Sequence, residues 1–485
     1  MATAETADAL SALDESSVQR FHWRTVMTSG TGFFTDAYDL FIIGTVTAIL
    51  MPIWHLGTGQ LALLNSLSLA AAAVGALTFG RLMDRFGRRA VYGLESIILT
   101  LGAIASAFAP SFGWLLLLRV IVGFGVGGNY PTTSVITSEY ANRRNRGYLV
   151  TMVFAMQGLG LLAGPLVAAV LLSVGIPHDL AWRLMLGLGA IPAAIVIYQR
   201  RRLPETPRFL AAAGKDEELA HVVGAVVTED DRTEGSGRSS QDHRPAPMVS
   251  NGRMARQTLW TRANLMKLMA TAGSWFLIDV AFYGNGVSSQ VILKALLPHS
   301  ALAITTLVAG GIFLVAAIPG YFVAAAQMDR LGRRTIQIVG FTVMALAYAA
   351  IFLVPAVVKL PLVFLMVYGV SYFFTEFGPN TTTFLVPAEA FATNVRGTAH
   401  GISAAFGKFG AFAGAFLLPI VLKAVGLSET MGLLALVALL GAGLTIFFLP
   451  EMNQRSLETT EVFEAPPLAQ TNVGGPRKLV EHTAH

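Results

Sequence analysis

Two carboxylates stand one helical turn apart in an otherwise apolar stretch, GFFTDAYDLFIIG, where Asp36 and Asp39 at i and i+3 share a helix face. In surroundings of low dielectric, two such acids oppose each other's ionisation, so one can hold a proton near neutral pH and release it when water reaches it. The chemistry is proton carriage. The competing reading is a structural pair buried against an arginine such as Arg119. Further along, SWFLIDVAFYGNG sets Trp275, Asp279 and Tyr283 at successive i+4 steps, a stripe down one helix face. The stripe presents an indole N–H, a protonatable carboxyl and a phenol O–H together, a donor set for a polar substrate in a cavity; plain aromatic packing is the alternative. A third segment, RVIVGFGVGGNYP, ends a glycine-rich run on Asn129 and Tyr130; Gly123, Gly125, Gly127 and Gly128 allow close helix approach.

The elements that hold these residues must be membrane helices. The chain has 485 residues, of which 54% are hydrophobic and 13% charged, too little polar surface to cover a water-soluble body of that size. Apolar stretches of the length a bilayer requires follow one another, without the alternation of a β-barrel. Spans are expected near 25–50, 60–82, 90–110, 113–138, 148–174 and 183–200, then near 263–290, 300–326, 335–356, 362–388, 398–424 and 430–449. The fold class is therefore all-α and polytopic, with about twelve spans. The domain expectation is an N-terminal segment 1–24, a six-helix bundle 25–201, a linker 202–262, a second bundle 263–450 and a tail 451–485. The linker contains TEDDRTEGSGRSSQDHRPAP, a composition expected to stay disordered. Residues 1–20 are polar and lack the apolar core of a cleavable signal, so the first span is expected to direct insertion.

The basic residues give topology. The formal charge of +5 is spread over breaks between spans and gathered in no basic domain, which points away from nucleic acid. Arginines at 81, 85, 88 and 89, at 143, 144 and 146, at 200 to 202, and at 330, 333 and 334 all fall on one side. The positive-inside rule places that side, both termini and the linker in the cytoplasm. There is no cysteine, hence no disulfide, metal–thiolate site or thiol nucleophile. An enzyme would need a catalytic constellation, and no HExxH, Walker loop or plausible Ser-His-Asp set occurs.

An internal repeat doubles the architecture. DRFGRR from Asp84 recurs 245 positions later as DRLGRR from Asp329, and PETPR from Pro204 is echoed 246 positions later by PEMNQR. Glu139 and Arg146 in SEYANRRNRG are echoed at an offset of 250 by Glu389 and Arg396 in AEAFATNVRG. Two pseudo-symmetric bundles with a site between them near mid-membrane are expected.

GRLMDRFGRR, between the second and third spans, resembles the loop signature of the major facilitator superfamily. That resemblance implies a cytoplasmic latch in which Asp84, Arg85, Arg88 and Arg89, and Asp329, Arg330, Arg333 and Arg334 in the second copy, act through charge pairs and helix-end dipoles, with Glu139 and Arg146 as further gating residues. Within the superfamily, FFTDAYDLF, GGNYP, SEYAN, WFLIDVAFY, FGPNTTTFLVPAE and HGISAAFGKFGA occur in order over about residues 30 to 415 and resemble the phosphate:proton symporter family. The resemblance implies a substrate site of Tyr130, Gln157, Trp275, Asp279, Tyr283 and Asn380 with Lys408 near it, and a proton route through Asp36, Asp39, Glu95 and Asp279. It implies a monomer in the cell membrane that imports inorganic phosphate by alternating access, with no bound cofactor or metal. For Lys408 the alternative is a snorkelling side chain at a helix end. Glu95 has the alternative of pairing with loop arginines. His400 reads as structural.

One departure matters. The family's GGDYP reads GGNYP here, so Asn129 stands where an acid is expected. An amide carries no proton, so either the remaining acids suffice or the site is retuned for another solute, such as an organic phosphate ester, an organic anion or a sugar. A receptor that binds phosphate without moving it is the remaining rival.

Overall fold

The structure, a computed structural model, describes residues 4–227, 259–354 and 356–457. Its elements are all helices, and twelve are long and apolar enough to cross a membrane. The first six are Arg20–Ile53, Thr58–Phe86, Arg88–Ala107, Phe112–Tyr140, Arg146–Ser173 and His178–Arg201; the second six are Arg262–Val287, Leu302–Leu331, Arg333–Leu353, Pro361–Ala390, Arg396–Val425 and Leu427–Phe448. Several run past their sequence expectations, the first by a turn at its start, because polar helix ends continue the hydrogen-bonded ladder beyond the apolar window. The apolar stretch of the seventh ends earlier, and a separate short helix, Ser289–Leu296, follows it.

Large apolar side chains such as Leu101, Val315, Leu346, Leu362 and Leu439 point outward, which hydrocarbon surroundings favour. Inside each bundle, small residues bring backbones together. Gly127 on the fourth span meets the second span so closely that a Cβ there would overlap the Ala72 carbonyl. The halves meet through the second span against the eleventh, and the fifth against the eighth. Gly127→Ala is therefore expected to lower stability by about 1–3 kcal/mol, read as the melting temperature in detergent. Gly311→Ala, where an added Cβ meets nothing within 4 Å, is the control expected to change little.

The tenth span is broken on purpose. Over Glu376–Asn380 it widens to π-helix, with Gly378 at φ −107°, ψ −109° and Pro379 next to it. Glycine tolerates the distorted backbone, and proline removes a ladder donor. The break aims Asn380 inward.

On the arginine-rich face, helices Ala4–Glu15, Pro207–Ala212 and Asp216–Val226 pack around Leu13, Leu210, Leu219 and Val223. The expected linker thus carries two helices after the sixth span, while its TEDDRTEGSGRSSQDHRPAP stretch, residues 228–247, lies outside the described residues.

Candidate functional site

The first span supplies both of its aspartates to the interior, but their partners separate them. Asp39 takes the Nη1 of Arg119 at 2.9 Å, and Asp36 accepts from the Asn129 amide at 2.7 Å. Both acids are buried, at 2% exposure or less. An i, i+3 spacing fixes the shared face and leaves the partners to the fourth span, where Arg119 and Asn129 lie ten residues apart along the helix axis. The arginine pairing weighed for the two acids holds for Asp39 only. Glu95 pairs with Arg200, the first of the arginines that close the sixth span, in keeping with the alternative weighed for it. Asp36, Glu95 and Asn129 border a cavity of about 10 Å³, room for about one water.

The seventh span's stripe faces the partner half. Asp279 Oδ2 takes Lys408 Nζ at 3.0 Å, and Lys408 also donates to the Tyr283 hydroxyl at 2.9 Å. Lys408 is 1% exposed, in the middle of the eleventh span rather than at a helix end where it could snorkel. Its ammonium lies 4.1 Å from the ring centre of Tyr130 and 4.2 Å from that of Tyr283. The Tyr130 and Tyr283 hydroxyls meet at 2.9 Å across the two halves. The Trp275 ring stands 6.0 Å from that of Tyr130.

Two buried polar atoms here, Trp275 Nε1 and Asp279 Oδ1, have no hydrogen-bond partner; Gln157, buried on the fifth span, has an unpartnered Oε1 but makes no contact that joins it to this cluster among the described residues. Buried polar groups are seldom left so, and a polar ligand that accepts from the indole N–H would satisfy one of them. Asn380, from the tenth-span break, gives its amide to Tyr321 at 3.0 Å and to Glu376 at 2.5 Å. The structure thus gathers Tyr130, Trp275, Asp279, Tyr283 and Lys408 tightly, and sets Asn380 in a neighbouring network. His400 lies with Nε2 3.0 Å from the Phe384 carbonyl, packed edge-on to Trp275. Glu376 was missed by the sequence reading; its signal was an acid inside the apolar run YFFTEFGPN.

The latch residues fall into a two-fold pattern. Asp84 accepts from the Gly397 and Thr398 backbone N–H groups at 3.0 and 2.6 Å, and Asp329 accepts from those of Gly147 and Tyr148 at 3.1 and 2.7 Å. Each acid crosses to the other half and sits at a helix N-terminus, where the dipole favours a negative charge. Arg88 pairs with Glu139 at 3.0 Å and Arg333 with Glu389 at 2.8 Å. Glu205 and Glu451 each accept from the backbone N–H groups of the paired arginines in their own half. Burial pushes the Glu205 carboxyl up from its ordinary value, against the pull of the N–H groups of Thr206 and Arg89.

The pattern breaks at one place. Glu139 also takes Arg396 from the other half at 2.8 Å, whereas Arg146 turns to Asp14 and the Arg455 carbonyl. Arg85, Arg89 and Arg330 make no ion pair among the described residues, and Arg334 donates to the Ile446 carbonyl at 2.7 Å. On a helix end only one of two adjacent arginines can face inward.

Three comparisons bear on the chain as a whole. A family model described as "Sugar (and other) transporter" matches residues 24–463. Among curated proteins, the probable inorganic phosphate transporter 1-6 of Arabidopsis thaliana is 35% identical, the match covering 94% of this chain and 97% of that protein. The inorganic phosphate transporter 1-6 of Oryza sativa subsp. japonica is 35% identical over 78% of each. Among solved structures, the major facilitator proton:xylose symporter XylE bound to 6-bromo-6-deoxy-D-glucose shares the fold with a TM-score of 0.77 at 18% identity, covering 91% of this chain and 98% of that one. XylE from E. coli in a partially occluded inward open conformation gives 0.71 at 17% identity, covering 90% and 100%.

Proposed function

We propose that this chain, which belongs to the family of sugar (and other) transporters within the major facilitator superfamily, imports inorganic phosphate together with protons by alternating access. It is a multi-pass membrane transporter and not an enzyme. The 35% identity to inorganic phosphate transporters over most of the chain supports phosphate as the substrate. The observation that carries the site is the buried Lys408–Asp279 pair beside an unpartnered indole N–H.

Phosphate offers acceptor oxygens on every side, so its water shell is replaced by donors: the Trp275 indole, the Tyr130 and Tyr283 hydroxyls, the Gln157 and Asn380 amides and the Lys408 ammonium. Asp279 controls Lys408. While ionised, it occupies the lysine and repels an anion; once protonated, it releases the lysine to face phosphate. Phosphate and proton therefore favour each other's binding, and the reciprocity is the coupling. Asp36 and Asp39 with Glu95 form the route in the first half. There Asp36, held by an amide, is the freer carrier, and Asp39 and Glu95 are tied to arginines.

The transporter works as a monomer in the cell membrane, with the arginine-rich face, both termini and the linker in the cytoplasm. Asp84, Asp329 and the Arg88–Glu139–Arg396 cluster latch that face closed.

The test is uptake of labelled phosphate into proteoliposomes under an inward proton gradient, with and without protonophore. Gradient-dependent accumulation displaced by phosphate, and not by excess glycerol phosphate, sulfate or glucose, is the expected result. Entry of another competitor in place of phosphate overturns the substrate and makes Asn129→Asp the first variant to restore it.

A further inference from the structure

Carboxyl groups within the spans are nearly all answered by a cation. Asp39 has Arg119, Glu95 has Arg200, Asp279 has Lys408, Glu139 has Arg88 and Arg396, and Glu389 has Arg333. Two buried carboxyls within the spans lack a basic group within 4 Å among the described residues, Asp36 and Glu376. Each is held instead by an amide, Asp36 by Asn129 at 2.7 Å and Glu376 by Asn380 at 2.5 Å. Glu376 is fully buried, and its Oε1 has no hydrogen-bond partner.

The groups facing Glu376 from the packed elements are Tyr321 of the eighth span, Asp279 of the seventh, Tyr348 of the ninth and Tyr372 of its own helix; none is a cation. An ionised carboxylate without a counter-charge at this depth costs several kcal/mol, so the neutral acid is the form tolerated while the halves are closed, and the carboxylate forms where an open state lets water reach it.

We infer that Glu376 is a proton-carrying residue of the C-terminal half, coupled to the substrate through the Asn380 amide that it holds. The inference rests on the phosphate reading of the central site. Asn380 has two amide hydrogens, and both are engaged here, one by Tyr321 and one by Glu376. As a carboxylate, Glu376 competes with phosphate for the second and repels the anion. Protonated on Oε1, it holds the amide less strongly, because a charge-assisted hydrogen bond has become a neutral one. The amide is then free for a phosphate oxygen. The proton comes from water on the side where phosphate enters and leaves to water on the side where phosphate is released, so one proton travels with the anion. The acid that Asn129 does not supply in the first half is thereby supplied in the second.

Glu376→Gln tests this in three readouts on purified, reconstituted protein. Proton-driven phosphate accumulation is expected to fall at least tenfold, whereas phosphate–phosphate exchange without a gradient persists within about threefold. Proton uptake on adding phosphate to lightly buffered detergent-solubilised protein is expected to fall by up to one proton per transporter. Glu376→Asp is expected to recover accumulation. Undiminished accumulation and proton uptake in Glu376→Gln overturn the inference, and so does equal loss of exchange and accumulation, which marks a structural role. If the unsubstituted protein itself neither accumulates nor exchanges phosphate, the substrate reading has failed, a result these arms separate from failure of Glu376 alone.

Discussion

Asp279→Asn is expected to reduce proton-driven phosphate accumulation to background while leaving phosphate binding intact or tighter. Asparagine preserves the shape of the side chain and cannot ionise, so it imitates the protonated acid permanently. Lys408 then loses the counter-charge that now lies 3.0 Å away. Removing one partner of a buried pair costs about 3–5 kcal/mol, and phosphate would relieve part of that cost by supplying the missing negative charge. Each 1.4 kcal/mol of relief tightens binding tenfold, so phosphate is expected to raise the melting temperature at roughly 10- to 100-fold lower concentration than it does in the unsubstituted protein. The variant binds but does not release, because no carboxylate reforms on the cytoplasmic side to recapture the lysine. Full accumulation by Asp279→Asn would remove this acid from the coupling. Loss of accumulation without any phosphate-dependent rise in melting temperature would show that the substrate does not meet Lys408.

The second large effect is expected at the latch on the arginine-rich face. Glu139→Gln leaves Arg88 and Arg396 facing each other with no carboxylate between them, in a site where Glu139 is fully buried and also accepts from Thr206 at 2.6 Å. A loss of about 3–5 kcal/mol of overall stability follows from breaking a buried pair, and only the part carried by the Arg396 contact, which crosses between the halves, bears on opening. Its pseudo-symmetric counterpart makes the informative contrast. Among the described residues Glu389 receives only Arg333, which belongs to its own half, so Glu389→Gln weakens one bundle without untying the two.

Because the chain has no cysteine, a single introduced one reports opening cleanly. Ser134 is buried and bonds the Phe384 carbonyl of the other half at 3.1 Å, a little deeper than Glu139 on the same helix. Labelling of Ser134→Cys from the arginine-rich face is expected to accelerate at least tenfold with Glu139→Gln and to change little with Glu389→Gln. A charge-assisted bond across the gate is worth about 1.5–3 kcal/mol, which sets that factor. Equal labelling rates in the two variants would mean that the Arg396–Glu139 contact does not hold the gate.

Much of this protein was legible before any coordinates, because the bilayer imposes simple rules. Length and apolarity gave the twelve spans, and the repeats at Asp84 and Asp329 gave the two halves, since a backbone in lipid must satisfy itself within helices. The cost of a charge at depth, about 2.5–3.5 kcal/mol on insertion scales, singled out Asp36, Asp39 and Asp279 as residues needing partners. Helical spacing put Trp275, Asp279 and Tyr283 on one face. These are local properties, fixed by residue type and the helical period.

Which partner answered each charge was decided only by the packing of helices distant in sequence. Nothing local distinguishes Asp36 from Asp39, yet one meets an amide and the other a guanidinium, because the fourth span presents Asn129 and Arg119 at different depths. The repeat predicts equal roles for Glu139 and Glu389, but of the two only Glu139 bridges the halves among the described residues: Arg396 reaches it, and Arg146 pairs with Asp14. Glu376 reads in sequence as one acid beside a glycine and a proline; its lack of a cation partner among the described residues appears once the seventh, eighth and ninth spans close around it. Sequence determines that a buried charge must be compensated, because desolvation is a property of the residue and its depth. Tertiary structure determines by what, because compensation is a matter of ångströms between side chains that the chain brings together from afar.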